Sequence, residues 1–283
     1  MVIIDSHTHA WPRWPYQPSV PDPESRGTIE QLINEMDLHG VDKAVLICAR
    51  IDHSLDNNEY IAEAVKRYPD RLLQFADVDC EWTETYHTDG AADRLAEASE
   101  KFGVKGYTHY LKDEDEGDWF FSEEGERFLK TTQEKGLIAS ISMEAHQIGP
   151  LRRLAERFPA VPFLLHHMAG ARAWEEPPYP KLKEVLASAG VSNIYVKMSG
   201  FAYVSQVEWD YPYSDTGWIV RALYEYFGPE RLCWGSDYPV VRNYMTYKHA
   251  LEVFRTHCTF IPDGDKKQIL GESLHRLLTE GHS

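Results

Sequence analysis

Near its N-terminus the chain reads Ile4-Asp5-Ser6-His7-Thr8-His9. A β-strand alternates its side chains, so His7 and His9 would project to one face while Thr8 points away. Two imidazoles held that way can each present a nitrogen to one ion about 2.0–2.1 Å away, as zinc requires. With 13 histidines in 283 residues, an H-x-H arises cheaply, and alone it reads equally as a metal or catalytic pair or as two structural histidines. A second stretch, Cys233-Trp234-Gly235-Ser236-Asp237-Tyr238-Pro239, supplies a carboxylate. Asp237 could ligate a metal or take a proton from a nearby water. It could equally be turn punctuation that accepts backbone N–H groups. The third stretch, Leu164-Leu165-His166-His167-Met168-Ala169-Gly170, has adjacent histidines, of which a strand can turn only one inward. With Phe163, Leu165 and His167 as the inward set, His166 is expected to face the helices as a core residue.

The surrounding pattern says how these stretches could meet. Short β-branched runs at 2–6, 43–49, 72–78, 104–108, 137–143, 161–166, 193–198 and 232–235 read as eight strands. Amphipathic stretches alternate with them at about 28–38, 58–68, 89–102, 123–135, 147–158, 180–189, 215–227 and 247–257. A further one at 265–278 follows the last unit. In the first helix Ile29, Leu32, Ile33 and Met36 share a face, Thr28 and Gln31 form a capping box, and Gly40 fits the stop. Strand-then-helix eight times predicts a single (β/α)8 barrel spanning residues 1–283, with an extra C-terminal helix. The rival, an open doubly wound sheet, would carry a glycine-rich phosphate turn after its first strand, and none is there. In a closed barrel the eighth strand neighbours the first, which sets Asp237 beside His7 and His9. Two long loops follow strands one and seven and so belong at the C-terminal mouth. One, at 10–27, holds Pro12, Pro15, Pro18, Pro21 and Pro23 with Trp11, Trp14 and Tyr16. The other, at 199–213, holds Phe201, Tyr203, Trp209, Tyr211 and Tyr213. They read as pocket walls or a lid, or as the interface of a homo-oligomer.

Composition narrows the partners. Hydrophobic residues at 43% and charged ones at 26% are globular values and exclude disorder as the overall state. The net charge of −16 argues against nucleic acid, whose binders present basic faces. A small anionic substrate would have to be held by a local cation, a metal or an arginine such as Arg172. The four cysteines form no C-x-x-C pair, which fits a reducing cytoplasm. No apolar run approaches the roughly twenty residues a bilayer demands, and the start of the chain has no basic segment of a signal peptide.

Together the motifs resemble the amidohydrolase superfamily, and within it the lactonase-like branch. That branch reads D-x-H-x-H-x-W, then V-L-D-H-x-G, V-Y-V-K-x-S-G and G-S-D-Y-P. The matching stretches here begin at Asp5, Leu164, Ile194 and Gly235, and an I-L-G-x-x-x-x-R-L element begins at Ile269. The resemblance implies a metal-assisted barrel hydrolase, most simply one that opens a lactone of a sugar acid or of an aromatic-degradation intermediate. It implies His7, His9 and Asp237 as ligands of one divalent ion, zinc or else manganese. Asp237 would also be the base toward water, and His167 the residue that positions the water or the substrate carbonyl. The same residues would also make sense without a metal. The fifth strand departs from many relatives: Ser140-Ile141-Ser142-Met143-Glu144-Ala145-His146 has no histidine at the expected place, although Glu144 could substitute. Gly106-Tyr107-Thr108-His109 lacks the arginine that grips carboxylated substrates in some relatives. Arg50, Arg172, Lys197 and Arg242 follow or end strands, and Glu144, Arg172, Lys197 and Trp11 are the expected substrate contacts. Non-oxidative decarboxylation of an aromatic or unsaturated acid is the alternative activity, and a non-catalytic ligand-binding barrel the further one.

Overall fold

The computed structural model describes residues 2–17 and 19–279; Pro18 of the first loop, and the two ends of the 1–283 domain, lie outside them. Strands β1 (Ile4–Thr8), β2 (Lys43–Ile47), β3 (Leu72–Asp77), β4 (Gly106–Tyr110), β5 (Ile138–Ser142), β6 (Phe163–Leu165), β7 (Ile194–Met198) and β8 (Leu232–Trp234) pair in chain order, all parallel. Helices α1 (Ile29–His39), α2 (Asn57–Arg67), α3 (Ala91–Phe102), α4 (Glu123–Glu134), α5 (Ile148–Arg157), α6 (Pro180–Ala187), α7 (Phe201–Val204), α8 (Gly217–Phe227) and α9 (Tyr247–Glu252) connect or follow them. The C-terminal element runs as α10 (Asp263–Lys267), a π-helical turn at Gln268–Glu272 and α11 (Ser273–Thr279). This is the expected (β/α)8 barrel. The additional turn α7 lies inside the loop after β7. No helix among the described residues is long and apolar enough to cross a membrane.

Local chemistry starts and stops α1 where its sequence implies, although only the Thr28 half of the expected capping box forms, the Thr28 N–H donating to the Ser25 carbonyl. The Thr28 side chain accepts from the Gln31 N–H, and Gly40 adopts φ 69° while its N–H donates to the Met36 carbonyl. Ile29, Leu32 and Met36 are fully buried against the strands. The core therefore has two layers. Outside the barrel, residues such as Leu46, Ile141, Leu165, Val196 and Trp234 pack on the helices. Inside it, Ile4, Val45, Ile47, Phe75, Ile138, Leu164 and Cys233 pack together, and Leu274 and Leu277 of α11 close the bottom.

Two irregularities shape the mouth of the barrel. First, β1 carries one extra residue between Asp5 and Thr8 relative to β2. Ile4 faces inward, so unbroken alternation would send His7 toward the helices, and this bulge brings it inside. Second, the barrel closes beyond β8. The Asp237 N–H donates to the His7 carbonyl at 2.8 Å, the His9 N–H donates to the Tyr238 carbonyl at 2.6 Å, and Thr8 bridges Tyr238.

The inner layer is tight at β4. A Cβ on Gly106 would stand 2.7 Å from the Ile138 carbonyl oxygen and 2.9 Å from Phe75 Cζ. Gly106→Ala is therefore expected to lower stability by about 1–3 kcal/mol, read as a shift in the urea midpoint. An unchanged midpoint would show that the inner layer has room the structure denies it.

Candidate active site

Barrel closure brings the first two chemical stretches into contact. His7 Nε2 and His9 Nε2 lie 3.1 Å apart, and each is 3.4 Å from Asp237 Oδ1. All three residues are buried. Two ligands on a tetrahedral ion with bonds of 2.0–2.1 Å stand about 3.3 Å apart, so the three atoms already have the mutual spacing such an ion imposes. The donor set suits zinc or manganese better than calcium, which takes six to eight oxygens. His9 Nδ1 donates to the Ile47 carbonyl at 2.7 Å, which leaves the Nε2 lone pair facing His7 Nε2 and Asp237 Oδ1. Trp11 stacks on His9, its ring centroid 5.2 Å away at 13°, and donates through its indole N–H to the Ala49 carbonyl. Trp11 is thus a buried brace behind His9.

Beneath His7 lies a polar column. Lys197 Nζ is 3.0 Å from His7 Nδ1 and 2.8 Å from Ser140 Oγ, and Ser140 Oγ is 2.7 Å from His166 Nε2. For His7 to turn its Nε2 lone pair to an ion, its proton must sit on Nδ1, facing Lys197. A neutral amine accepts that proton, and burial lowers the Lys197 pKa well below its usual range, the direction this requires. Lys197 therefore supports His7 from within the barrel and meets a ligand at the mouth only through it.

His166 is placed opposite to the expectation. Leu164 is the inward residue of β6 and Phe163 and Leu165 pack outside, so alternation sends His166 inward, its ring 4.5 Å from that of His7. The rule that only one of two adjacent histidines can face inward then fails, because β6 ends at Leu165. His167, Met168 and Ala169 take positive φ values of 43°, 53° and 55°. That left-handed turn swings the His167 ring back to 4.6 Å from His7, with Nδ1 3.0 Å from Ser199 Oγ. Gly200, at φ 69°, permits this: a Cβ there would stand 2.8 Å from His167 Nδ1.

Burial alone would raise the Asp237 pKa; the adjacent His167, His9 and the Tyr203 hydroxyl outweigh it and hold the carboxyl below its usual range. Tyr203 donates to Asp237 Oδ2 at 2.5 Å. Tyr203 is one of the aromatics of the second loop, but its contact with Asp237 has no local sign in the sequence. Asp5, which accepts from the N–H groups of His7 and Ser236 and from the Tyr247 hydroxyl, ties β1 to the end of β8; burial pushes its pKa to about 6. Glu144 and Arg172, after β5 and β6, pair with each other at 2.8 Å. His146 is exposed in the turn that Glu144 caps. Arg242 bonds the Arg26 carbonyl, and the Arg50 Nε bonds the Leu55 carbonyl. Ring contacts of 5.4 and 5.2 Å hold Tyr16 to Trp11 and Trp14 in the first loop.

A barrel whose first strand presents two histidines to an aspartate after its last defines a class, and comparison with known proteins agrees. The amidohydrolase family profile matches residues 4–278, and the chain belongs to that family of hydrolases. It is 24% identical over 258 residues to the L-fucono-1,5-lactonase of Burkholderia ambifaria, covering 84% of this chain and 81% of that one. Its fold is similar to that of a probable 2-pyrone-4,6-dicarboxylic acid hydrolase from Acinetobacter baumannii, solved with citric acid bound. There the TM-score is 0.79 and identity 20%, over 99% of this chain and 100% of the other. An amidohydrolase from Burkholderia multivorans with bound zinc gives a TM-score of 0.79 at 18% identity, over 98% and 99% of the two chains.

Burial also pushes the imidazole pKa of His167 down to about 4, that of His87 to about 3, and those of His7, His109 and His166 downward. An unfolded chain takes up protons at these groups near pH 6.5 while the native one does not. The part of the stability that rests on these neutral histidines is therefore expected to be complete above pH 7.5 and to be lost as pH drops through 6.5 toward 4. The slope is about 1.4 kcal/mol per pH unit for each such histidine, measurable by urea titration at pH 7.5 and 5.5. Equal stability at the two values would contradict neutral buried imidazoles.

Proposed function

We propose that the chain opens a lactone ring by hydrolysis, with a divalent ion, zinc in the first instance, on His7, His9 and Asp237. The observation that carries this is the buried Nε2, Nε2, Oδ1 triangle at 3.1 and 3.4 Å, with its carboxylate held ionised. When bound, such an ion polarises an ester carbonyl and brings the pKa of water toward about 7.

The chain's own groups do the rest. Asp237 is the base: it takes the proton of the attacking water and returns it to the ring oxygen that leaves as an alcohol. Tyr203, donating to Oδ2, keeps that carboxylate oriented. His167 is neutral at pH 7, and a Ser199 hydroxyl that donates to Nδ1 fixes its remaining proton on Nε2. That N–H can donate to the carbonyl oxygen as negative charge builds there, a contribution of roughly 3 kcal/mol for one such donor. The aromatic residues of the first loop pack on one another and, through Trp11, on His9. Glu144 and Arg172 neutralise each other, so a substrate group meeting this pair meets both a donor and an acceptor.

A pH-indicator screen of sugar-acid and unsaturated lactones tests the reading. Asp237→Asn is expected to cost about 10³-fold in kcat/KM. Chelation should abolish turnover, and zinc, or manganese as second choice, should restore it. Full activity in metal-free protein would show that the ion is dispensable. Release of CO2 from aromatic or unsaturated acids, with no lactone turned over, would make the chain a decarboxylase instead. Unaltered ligand affinity in Asp237→Asn with no turnover of any substrate would make it a binding barrel.

A further inference from the structure

Across the barrel from Asp237, the ends of β3 and β4 carry polar atoms that the hydrolysis itself does not use. Leu73 and Phe75 face inward on β3, and Asp77 follows them in alternation. Its partner across the ladder is Thr108, on the same face of β4 as Gly106 and Tyr110. Asp77 and Thr108 are 2% and 0% exposed. Asp77 Oδ2 accepts from the Arg50 backbone N–H at 2.7 Å and from the Trp82 indole N–H at 2.8 Å. Asp77 Oδ1 and Thr108 Oγ1, however, have no hydrogen-bond partner among the described residues, and neither does His166 Nδ1. A buried polar atom without a partner costs about 1–3 kcal/mol, so neighbouring ones on one inner face call for a ligand that pairs them.

Rings link this pair to the ion site. Trp82 packs on Tyr110 at 4.7 Å, Tyr110 on His166 at 5.1 Å, and His166 on His7 at 4.5 Å. These contacts run from the ring that donates to Asp77 to a histidine of the ion site.

We propose that Asp77 and Thr108 form a binding subsite for the hydroxyl-bearing edge of a neutral, polyhydroxylated ring whose ester group lies at His7, His9 and Asp237. This subsite rests on the lactonase reading. A ring hydroxyl donates to Asp77 Oδ1 and accepts from, or donates to, Thr108 Oγ1. An acidic substituent would set a second carboxyl against the face of Asp77 that its two N–H donors leave open. The subsite thus selects hydroxylated lactones over dicarboxylated ones.

The test compares hexono-1,5-lactones with δ-valerolactone, which has the same ring and no hydroxyls. The wild-type chain should prefer its best hexonolactone by at least 100-fold in kcat/KM. Asp77→Asn should shrink that preference at least tenfold, through KM for the hexonolactone. The Arg50 and Trp82 N–H groups hold the amide oxygen on their side, so the NH2 replaces the free acceptor. Thr108→Val should act in the same direction with an unchanged or higher Tm, because its hydroxyl has no protein partner to lose. Equal losses on both lactones, or an unchanged preference, would overturn the subsite. So would a lower Tm in Thr108→Val with unaltered kinetics, which would give the atoms to a structural water. Calorimetry with a non-hydrolysable 1,5-anhydrohexitol separates the two readings. If no lactone is opened but the polyol binds and Asp77→Asn weakens it tenfold, the subsite stands and the lactonase reading falls. If lactones are opened and the polyol binds both proteins alike, the subsite falls.

Discussion

Everything at the mouth depends on how the barrel is sewn shut. β8 ends at Trp234, and the seam with β1 is made by the segment after it. Asp237 donates its N–H to His7, Tyr238 receives that of His9, and the Asp5 carboxyl gathers the N–H of Ser236. The residues that close the barrel are thus the residues that carry the three candidate ligand atoms, or their immediate neighbours. Asp237 takes φ 61°, a left-handed conformation unusual outside glycine, and the seam holds it there. Closure and ligand geometry are one constraint.

The same seam organises the electrostatics. Fully buried histidines and a buried lysine would be costly as cations, so burial keeps them neutral, while the one ionised carboxylate at their centre is met by Tyr203, His9 and His167. Serines carry the hydrogen bonds between layers: Ser140 between Lys197 and His166, Ser199 onto His167. On a chain of net charge −16, an ion at this triangle would be a concentrated positive point. The arginine expected to share that duty, Arg172, already has Glu144 as its counter-charge.

Much of this architecture is legible along the sequence, because it rests on local period. Alternating apolar runs and capped amphipathic helices announce eight units, and closure of such a barrel puts the end of the last strand beside the first. That is enough to bring Asp237 to His7 and His9. The rest depends on register and on turns without a local sign. Nothing near His7 announces the extra residue that turns it inward. Left-handed Met168 and Ala169 are not glycines, so the turn that returns His167 to the mouth is set by packing. Lys197 meets His7 because β7, β5 and β1 stand at particular heights, and Tyr203 meets Asp237 because of one short turn, α7, inside a long loop. Asp77 and Thr108 each look like ordinary strand-end residues until the β3–β4 register pairs them.

If the seam assembles one divalent-ion site from His7, His9 and Asp237, the site must take up its ion whatever the substrate is. Calorimetric titration of zinc into chelator-treated, refolding-competent protein measures that uptake directly. A single tight site per chain is predicted, lost in His9→Asn and in Asp237→Asn while both variants remain folded by circular dichroism. No zinc uptake by the wild-type chain, or uptake unchanged in both variants, would contradict it.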